Sequence, residues 1–205
     1  MDAFKHWLVT GLSEKDPDLE FEARDLARFF TRFNLEIGRI RKDWSDSKMA
    51  KGIRHLYGSG SSYLIEVSRL PPCREVSDFF DSVPQLYKNL FEVRCSRYYS
   101  HLDRGPERAN PLNGPCYMLW DMDCGIDSFR FSKVPSHIDD SIRVLGQLAT
   151  STHPATIESA IHGLGHMIDS FRDRCQPPLE RLASRADVPA ELRDYADNAL
   201  NHYIQ

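Results

Sequence analysis

Apolar residues recur at helical spacing through most of the chain. The longest pattern begins at Leu19 and continues to Trp44, with apolar residues three or four positions apart. This spacing places them on one face of an amphipathic helix. Asp16 is a favourable N-cap, and Pro17 is favourable in the first helical turn. The pattern therefore predicts a long helix that starts near residue 16 and buries one face.

Shorter patterns of the same kind surround this helix. Ser45 or Ser47 is suited to cap a helix that stops at Gly58. Pro84 is expected to divide or kink a later helix, because proline has no backbone N–H to donate. Helices are expected over residues 4–12, 45–58, 63–70 and 76–102. A strand is the alternative for the third of these segments.

A long loop interrupts the helical pattern. Residues 103–115 contain three prolines and two glycines, which favour turns over regular structure. An aromatic-rich segment follows the loop. We therefore divide the chain into an N-terminal helical region (residues 1–103), a connector (104–134) and C-terminal helical pairs (135–205). The three regions are expected to form one continuous globular unit.

The C-terminal region contains an internal repeat of two helical pairs. Leu145 and Leu148 correspond to Leu179 and Leu182, 34 positions later, and further matches follow at offsets of 35 and 36. A period of this length with two helices per unit is typical of helical solenoids. Helices are expected here over residues 135–148, 153–171, 177–185 and 189–204.

Residues 135–205 resemble the HEAT-like family of helical repeats. The resemblance rests on Leu-x-x-Leu-Ala in the first helix of a pair, and on Pro-Ala followed by an Ala/Gly/Leu pattern in the second. Residues 158–166, Glu-Ser-Ala-Ile-His-Gly-Leu-Gly-His, are also similar to a segment of bacterial proteins that end in such helices. With the helical periodicity, the resemblance implies an all-α fold, a helical bundle leading into a short HEAT-like α-solenoid. It also implies a surface that binds another protein.

Composition restricts the kinds of partner. The net charge is −4; residues 1–110 hold 18 Lys or Arg against 17 Asp or Glu, and the remainder holds 8 against 13. Nucleic acid is not expected as a partner, because its binding needs clustered basic residues. No apolar run approaches the roughly 20 residues of a membrane span, and the first residues lack an export-signal profile. From these two observations we expect a cytoplasmic location and no membrane contact. The five cysteines include no Cys-x-x-Cys pair, so we expect reduced thiols.

One helical segment carries the best candidate for chemistry. Glu158, His162 and His166 are spaced four residues apart, so they lie on neighbouring turns of one helical face. Two imidazoles and one carboxylate are sufficient ligands for zinc or ferrous iron. A metal-dependent enzyme built on these three residues is therefore the alternative function. Further ligands would come from His137, His153 or Asp169.

Two observations favour a structural role for the same residues. The segment reads His-Gly-Leu-Gly-His, whereas catalytic zinc helices typically read His-Glu-x-x-His, with the Glu as base. In the repeat, His166 also aligns with His202, which suggests a shared packing or capping role. We therefore expect no cofactor, a buried and hydrogen-bonded His166, and a close helix crossing at Gly163 and Gly165.

The connector supplies the candidates for partner binding. Tyr117, Trp120 and Asp121 follow the long loop, and Trp and Tyr are favoured in protein interfaces. A buried Trp120 that bridges two helical layers is the alternative. No motif of a serine hydrolase, P-loop, kinase or dinucleotide-binding protein is present. The sequence thus predicts a non-enzymatic helical-repeat protein, an adaptor or toxin-neutralising partner, that binds another protein.

Overall fold

Every regular element that the structure describes is helical. The structure is a computed structural model, and it describes residues 21–40, 42–58, 61–102, 109–123 and 125–204. Within these ranges no residue lies in a strand, so the predicted all-α class is confirmed. The expected helix over residues 4–12 and the predicted start near Asp16 and Pro17 lie outside the described residues.

Eight α-helices follow one another along the described chain. They are α1 (Ala23–Ile40), α2 (Asp46–Tyr57), α3 (Tyr63–Ser68), α4 (Arg74–Leu86), α5 (Asn113–Tyr117), α6 (Pro135–Leu148), α7 (Pro154–Ala183) and α8 (Ala190–Leu200). A π-helical segment and a single α-turn continue α4, over Tyr87–Phe91 and Glu92–Arg94. Short 3₁₀ turns form at Ser100–Leu102, Met118–Trp120 and Ile126–Phe129.

The N-terminal helices form as the apolar pattern predicts. Leu26, Phe30 and Phe33 on α1 are buried, and α1 packs against α4 and α3. Ser45 is the N-cap of α2, where its hydroxyl accepts a hydrogen bond from the Lys48 backbone N–H at 3.2 Å. The helix ends at Gly58, as expected. Residues 63–68 form a helix and not the alternative strand.

The helix that contains Pro84 ends earlier than predicted. Pro84 lies inside α4, and a π-helical segment begins three residues later. Helical structure stops at Arg94 because Cys95 adopts an extended backbone, with φ −64° and ψ 142°. The predicted extension to residue 102 is therefore wrong. The π segment follows closely after a residue that cannot donate a backbone hydrogen bond, a place where helical geometry is easily altered.

Helix α7 is the central element of the fold. It begins with Pro154 in the first turn. Backbone N–H groups there have no partner within the helix, so the N–H that proline lacks is not needed. Residues 154–165 are buried on all sides, since α5, α6 and α8 pack around them. At Phe171 the backbone leaves helical geometry, with φ −137° and ψ 41°. The helix predicted over residues 153–171 therefore ends at the predicted residue, and the second helical stretch, predicted to start at Pro177, begins directly after this kink.

Two glycines of α7 allow neighbouring elements to approach closely. A Cβ atom at Gly163 would lie 2.6 Å from Leu145 Cδ2 and 2.9 Å from Trp120 Cβ. A Cβ atom at Gly165 would lie 2.6 Å from Ile204 Cγ2. The expected close approach at these positions is therefore present. The last of these contacts comes from residues beyond α8, which ends at Leu200 and not at the predicted residue 204.

One hydrophobic core joins the three predicted regions. It contains Phe30 from the N-terminal region, Trp120 from the connector and Leu164 from the C-terminal region. Packing of α4 against α6 links the two larger regions directly. Within the described ranges, no helix combines the length and the hydropathy that are needed to cross a bilayer.

Replacement of Gly163 by alanine tests this close approach. Alanine favours a helix by about 1 kcal/mol over glycine. At this position the added methyl group overlaps Trp120 and Leu145, so we expect Gly163→Ala to lower the free energy of unfolding by about 1–3 kcal/mol. Chemical denaturation with urea measures the change.

Gly146→Ala is the matched control for this experiment. Gly146 lies inside α6, and the nearest atom to a Cβ there is Pro178 Cβ at 3.7 Å, an ordinary contact. This variant should be as stable as the wild type or gain up to about 1 kcal/mol. Equal effects of the two substitutions would contradict the packing described at Gly163.

Candidate metal centre

Two histidines of α7 bring their ring nitrogens together. His162 and His166 are one helical turn apart, and their Nε2 atoms are 3.2 Å from each other. The rings meet edge to face, with centroids 4.5 Å apart. Both nitrogens therefore point to the same small region beside the helix.

Asp121 supplies a carboxylate to the same region. It follows the 3₁₀ turn Met118–Trp120, and its backbone N–H donates to the Met118 carbonyl at 2.8 Å. Its Oδ2 atom is 3.3 Å from His166 Nε2 and 3.8 Å from His162 Nε2. Among the described residues, these three are the only group of His, Cys, Asp or Glu whose donor atoms lie close enough to share one ion. We call them the donor cluster.

The spacing of the donor cluster matches that of metal ligands. Ligands held about 2.1 Å from a tetrahedral ion lie roughly 3.4 Å from one another. The three distances in the cluster, 3.2, 3.3 and 3.8 Å, bracket this value. An ion placed among the three atoms would thus need only small movements of the side chains.

The electrostatics of the cluster favour the protonation states that bind metals. The polar contact with His162 lowers the pKa of Asp121 against the opposing effect of burial, and the positive charge of Arg130 also lowers it. Burial lowers the pKa of His166, and the neighbouring His162 lowers it again. Asp121 is therefore ionised and His166 neutral at pH 7, as metal ligation requires.

A second layer of contacts holds His162 from behind. Its Nδ1 atom is 3.0 Å from the Tyr195 hydroxyl on α8, and this hydroxyl is 3.0 Å from the Tyr117 hydroxyl. The Tyr117 ring also lies against the His162 ring, with centroids 4.2 Å apart. Burial raises the pKa of Tyr117 to about 12, so its hydroxyl stays protonated at neutral pH.

The cluster is closed on one side and accessible on the other. The His162 side chain is only 2% exposed, whereas those of His166 and Asp121 are 27% and 26% exposed. His166 is hydrogen-bonded to His162, as expected from the sequence, but its side chain is not fully buried. A small molecule reaching the site would approach along Asp121 and His166.

Glu158 does not belong to the donor cluster. Its side chain is 1% exposed, and its Oε1 atom accepts from the His101 backbone N–H at 2.8 Å and lies 2.6 Å from His101 Nδ1. A spacing of four residues exceeds the 3.6 residues of a helical turn, so each step turns about 40° round the axis. Glu158 therefore faces His101, and the predicted trio with His162 and His166 is corrected to one in which Asp121 provides the carboxylate.

The two aromatic residues proposed for partner binding are buried. Tyr117 is 8% exposed and Trp120 is 4% exposed. The Trp120 indole N–H donates to the Tyr87 hydroxyl at 3.0 Å, and its Cβ packs on Gly163. This placement fits the alternative, in which Trp120 bridges helical layers, and it leaves only Asp121 of that set accessible.

The other histidines and carboxylates considered as ligands lie elsewhere. The His137 ring packs against Phe129, and its Nδ1 atom is 3.2 Å from the Ser132 hydroxyl. Asp169 forms an ion pair with His202 on the exposed surface. His202 therefore has different surroundings from His166, and the role that the repeat suggested for both is not shared.

Sequence reasoning missed two parts of this site. The sequence does not connect Asp121 with the histidines, because no periodicity relates it to His162, 41 positions later. Tyr195 was not singled out, since it lies within an ordinary apolar pattern of α8. The sequence feature that draws attention to Asp121 is its place directly after Trp120, at the end of an aromatic-rich segment.

Comparisons of the chain with protein-family models, with curated proteins and with solved structures give no match.

Asp127 allows a test of the electrostatics next to the cluster. Its carboxyl lines a small cavity with His166 and Arg130. Arg130 Nε is 2.9 Å from Asp127 Oδ1, but the contact lacks hydrogen-bond geometry. Burial raises the pKa of Asp127 to about 6, although Arg130 opposes the shift. The folded chain thus keeps a proton that the unfolded chain loses near pH 4.

Asp127→Asn should therefore change how stability depends on pH. The wild type loses stability between about pH 4 and pH 6, because only its unfolded state releases the proton there. Asp127→Asn lacks this loss. Its free energy of unfolding, relative to that of the wild type, should therefore rise by roughly 1–3 kcal/mol between pH 4 and pH 7. Urea denaturation across this range measures it.

Asp187→Asn provides a control of opposite sign. A hydrogen bond from Arg185 lowers the pKa of the exposed Asp187. Its contribution to stability is present above the unfolded pKa and lost as the pH falls, so this substitution should be unfavourable at pH 7 and neutral in acid. The same pH trend in both variants would rule out a raised pKa at Asp127.

Proposed function

We propose that this protein binds one divalent transition-metal ion through Asp121, His162 and His166, and that it uses the ion in catalysis. The observation that carries the proposal is the donor cluster itself, in which three potential ligand atoms converge at distances of 3.2–3.8 Å. The three groups meet in a partly buried region that is open to solvent only beside Asp121 and His166.

The chemistry of the ligands indicates the class of ion. Imidazole nitrogens suit zinc, copper, iron and nickel, whereas calcium and magnesium prefer oxygen ligands. Two imidazoles and one carboxylate form a set that is known for both zinc and non-haem iron sites. Zinc or ferrous iron is therefore the expected ion.

The number and exposure of the ligands favour a catalytic over a structural site. Structural zinc sites are closed by four protein ligands, whereas catalytic sites keep a position for water or substrate. The donor cluster offers three ligands, and the exposed edges of Asp121 and His166 leave a path from solvent. An ion there would act as a Lewis acid or activate a bound water, which suits a hydrolytic reaction.

The scaffold also suits such a role. His162 and His166 lie on the central buried helix, and Asp121 follows a 3₁₀ turn anchored by the buried Trp120. Sites on rigid elements hold their ligands more accurately than sites on loops.

Protein binding by a HEAT-like solenoid stays a separate prediction. Helix α7 packs against both α6 and α8, an arrangement that such repeats use. The aromatic candidates for the interface, Tyr117 and Trp120, are buried, so they support this function less directly than the donor cluster supports metal binding. A cytoplasmic location likewise stays a prediction.

Metal titration of the full chain without a His-tag tests the proposal. Isothermal titration with Zn²⁺, and the visible spectrum on addition of Co²⁺, should both show one ion bound per chain. Asp121→Asn and His166→Ala should each weaken binding by at least about tenfold, because each removes a ligand. The absence of stoichiometric binding to the folded wild type would refute the proposal.

Two control variants separate ligation from general effects. His202→Ala removes an exposed imidazole outside the cluster and should leave the affinity unchanged. Glu158→Gln distinguishes the cluster from the trio predicted by sequence, since a folded Glu158→Gln protein should still bind one ion. If Glu158→Gln abolished binding and Asp121→Asn did not, the assignment of the carboxylate ligand would be reversed.

A further inference from the structure

The contact of His162 Nδ1 with Tyr195 leaves Nε2 as the nitrogen that faces the donor cluster. A neutral imidazole that ligates through Nε2 must carry its proton on Nδ1. The atom next to Nδ1 is the Tyr195 hydroxyl oxygen, 3.0 Å away, which is a suitable acceptor for this proton. Metal-bound histidines are commonly held in this way through their second nitrogen.

Tyr195 is itself held firmly in place. Its ring stacks on the His101 ring, with centroids 4.0 Å apart and an angle of 5° between planes. His101 is fixed in turn by the buried Glu158 carboxylate, at 2.6 Å from Nδ1. The Tyr195 hydroxyl can donate to the Tyr117 oxygen, 3.0 Å away, while it accepts from His162.

Tyr195 belongs to the helix that packs against the centre of the fold. Leu192, Tyr195, Ala196 and Ala199 form the buried face of α8, and this face lies on α7. Of these four residues, only Tyr195 has a polar group that can bond to the donor cluster. The position of α8 therefore sets the position of the hydroxyl that His162 needs.

We propose that Tyr195 is a positioning residue of the metal centre, and that it links metal binding to the docking of α8 on α7. The inference rests on the proposed function. When α8 is docked, the Tyr195 oxygen can accept the Nδ1 proton of His162, which leaves the Nε2 lone pair facing Asp121 and His166. When α8 is displaced, this hydrogen bond is lost and the affinity for the ion falls.

The link must act in both directions. If docking of α8 raises the affinity for the ion by some factor, then the ion favours the docked helix by the same factor. Loss of a comparable outer contact in metal sites weakens binding about 10–100-fold. A factor of this size would make the opening of α8 correspondingly rarer in the metal-loaded chain.

The substitution Tyr195→Phe tests the inference, because it removes the hydroxyl and keeps the ring that stacks on His101. We expect Zn²⁺ affinity to fall about tenfold or more, by isothermal titration of the full chain. Tyr203→Phe makes the same chemical change at an exposed residue and should leave the affinity unchanged. Hydrogen exchange of α8 amides should slow on Zn²⁺ addition in the wild type, and less so in Tyr195→Phe.

A measurement on the metal-free wild type keeps the test independent of variant folding. Nitrogen-15 NMR of histidine-labelled protein reports the His162 tautomer, and we expect the proton on Nδ1. A proton found on Nε2 would overturn the role of Tyr195, as would Zn²⁺ affinity of Tyr195→Phe within about twofold of the wild type.

The outcomes also separate this inference from the proposed function. A wild type that binds one ion, with an unchanged Tyr195→Phe variant, would leave the metal site standing and remove the role of Tyr195. A folded wild type that binds no ion would remove both. Weaker binding in Tyr195→Phe with no change in α8 exchange would support positioning but overturn the link to helix docking.

Discussion

The polar side chains on the buried part of α7 constrain the rest of the structure. Glu158, Ser159 and His162 lie in the interior, where an unpaired polar group costs several kcal/mol. Each one obtains its partner from a different element, and those elements cannot move apart without leaving a group unpaired. His101 comes from a 3₁₀ turn and Tyr195 from α8, while the Ser159 hydroxyl bonds to the Cys116 carbonyl and the Tyr87 hydroxyl.

Much of the fold follows from local patterns in the sequence. The apolar spacing of α1 and the Ser45 cap predict elements that depend on a few neighbouring residues, and the structure contains both. The end of the Pro84 helix and the kink at Phe171 depend on packing against distant elements. Periodicity carries no information about such packing, so the predicted end of the Pro84 helix at residue 102 and the predicted restart of helix at Pro177 were wrong, although the break at residue 171 was predicted.

The candidate site divides in the same way. His162 and His166 were recognised because a helix makes residues four apart neighbours. The same rule fails for Glu158. Each step of four residues turns the side chain by about 40° round the helix axis, so over two steps Glu158 turns away from His166 and meets a different partner. Asp121 joins the histidines only through the tertiary fold, in which Trp120 packs on Gly163 and directs the next residue toward α7.

The π-helical turn at Tyr87–Phe91 has a consequence for how this protein can vary in length. A π turn holds one residue more than the equivalent α-helical turn, and here it places the Tyr87 hydroxyl against both Ser159 and Trp120. Deletion of one residue would leave a regular α-helical turn and would keep the orientation of the side chains after it, but it would rearrange the residues within the turn, Tyr87 among them. Relatives that share this interior should therefore keep the inserted residue, even where the surrounding surface accepts insertions and deletions.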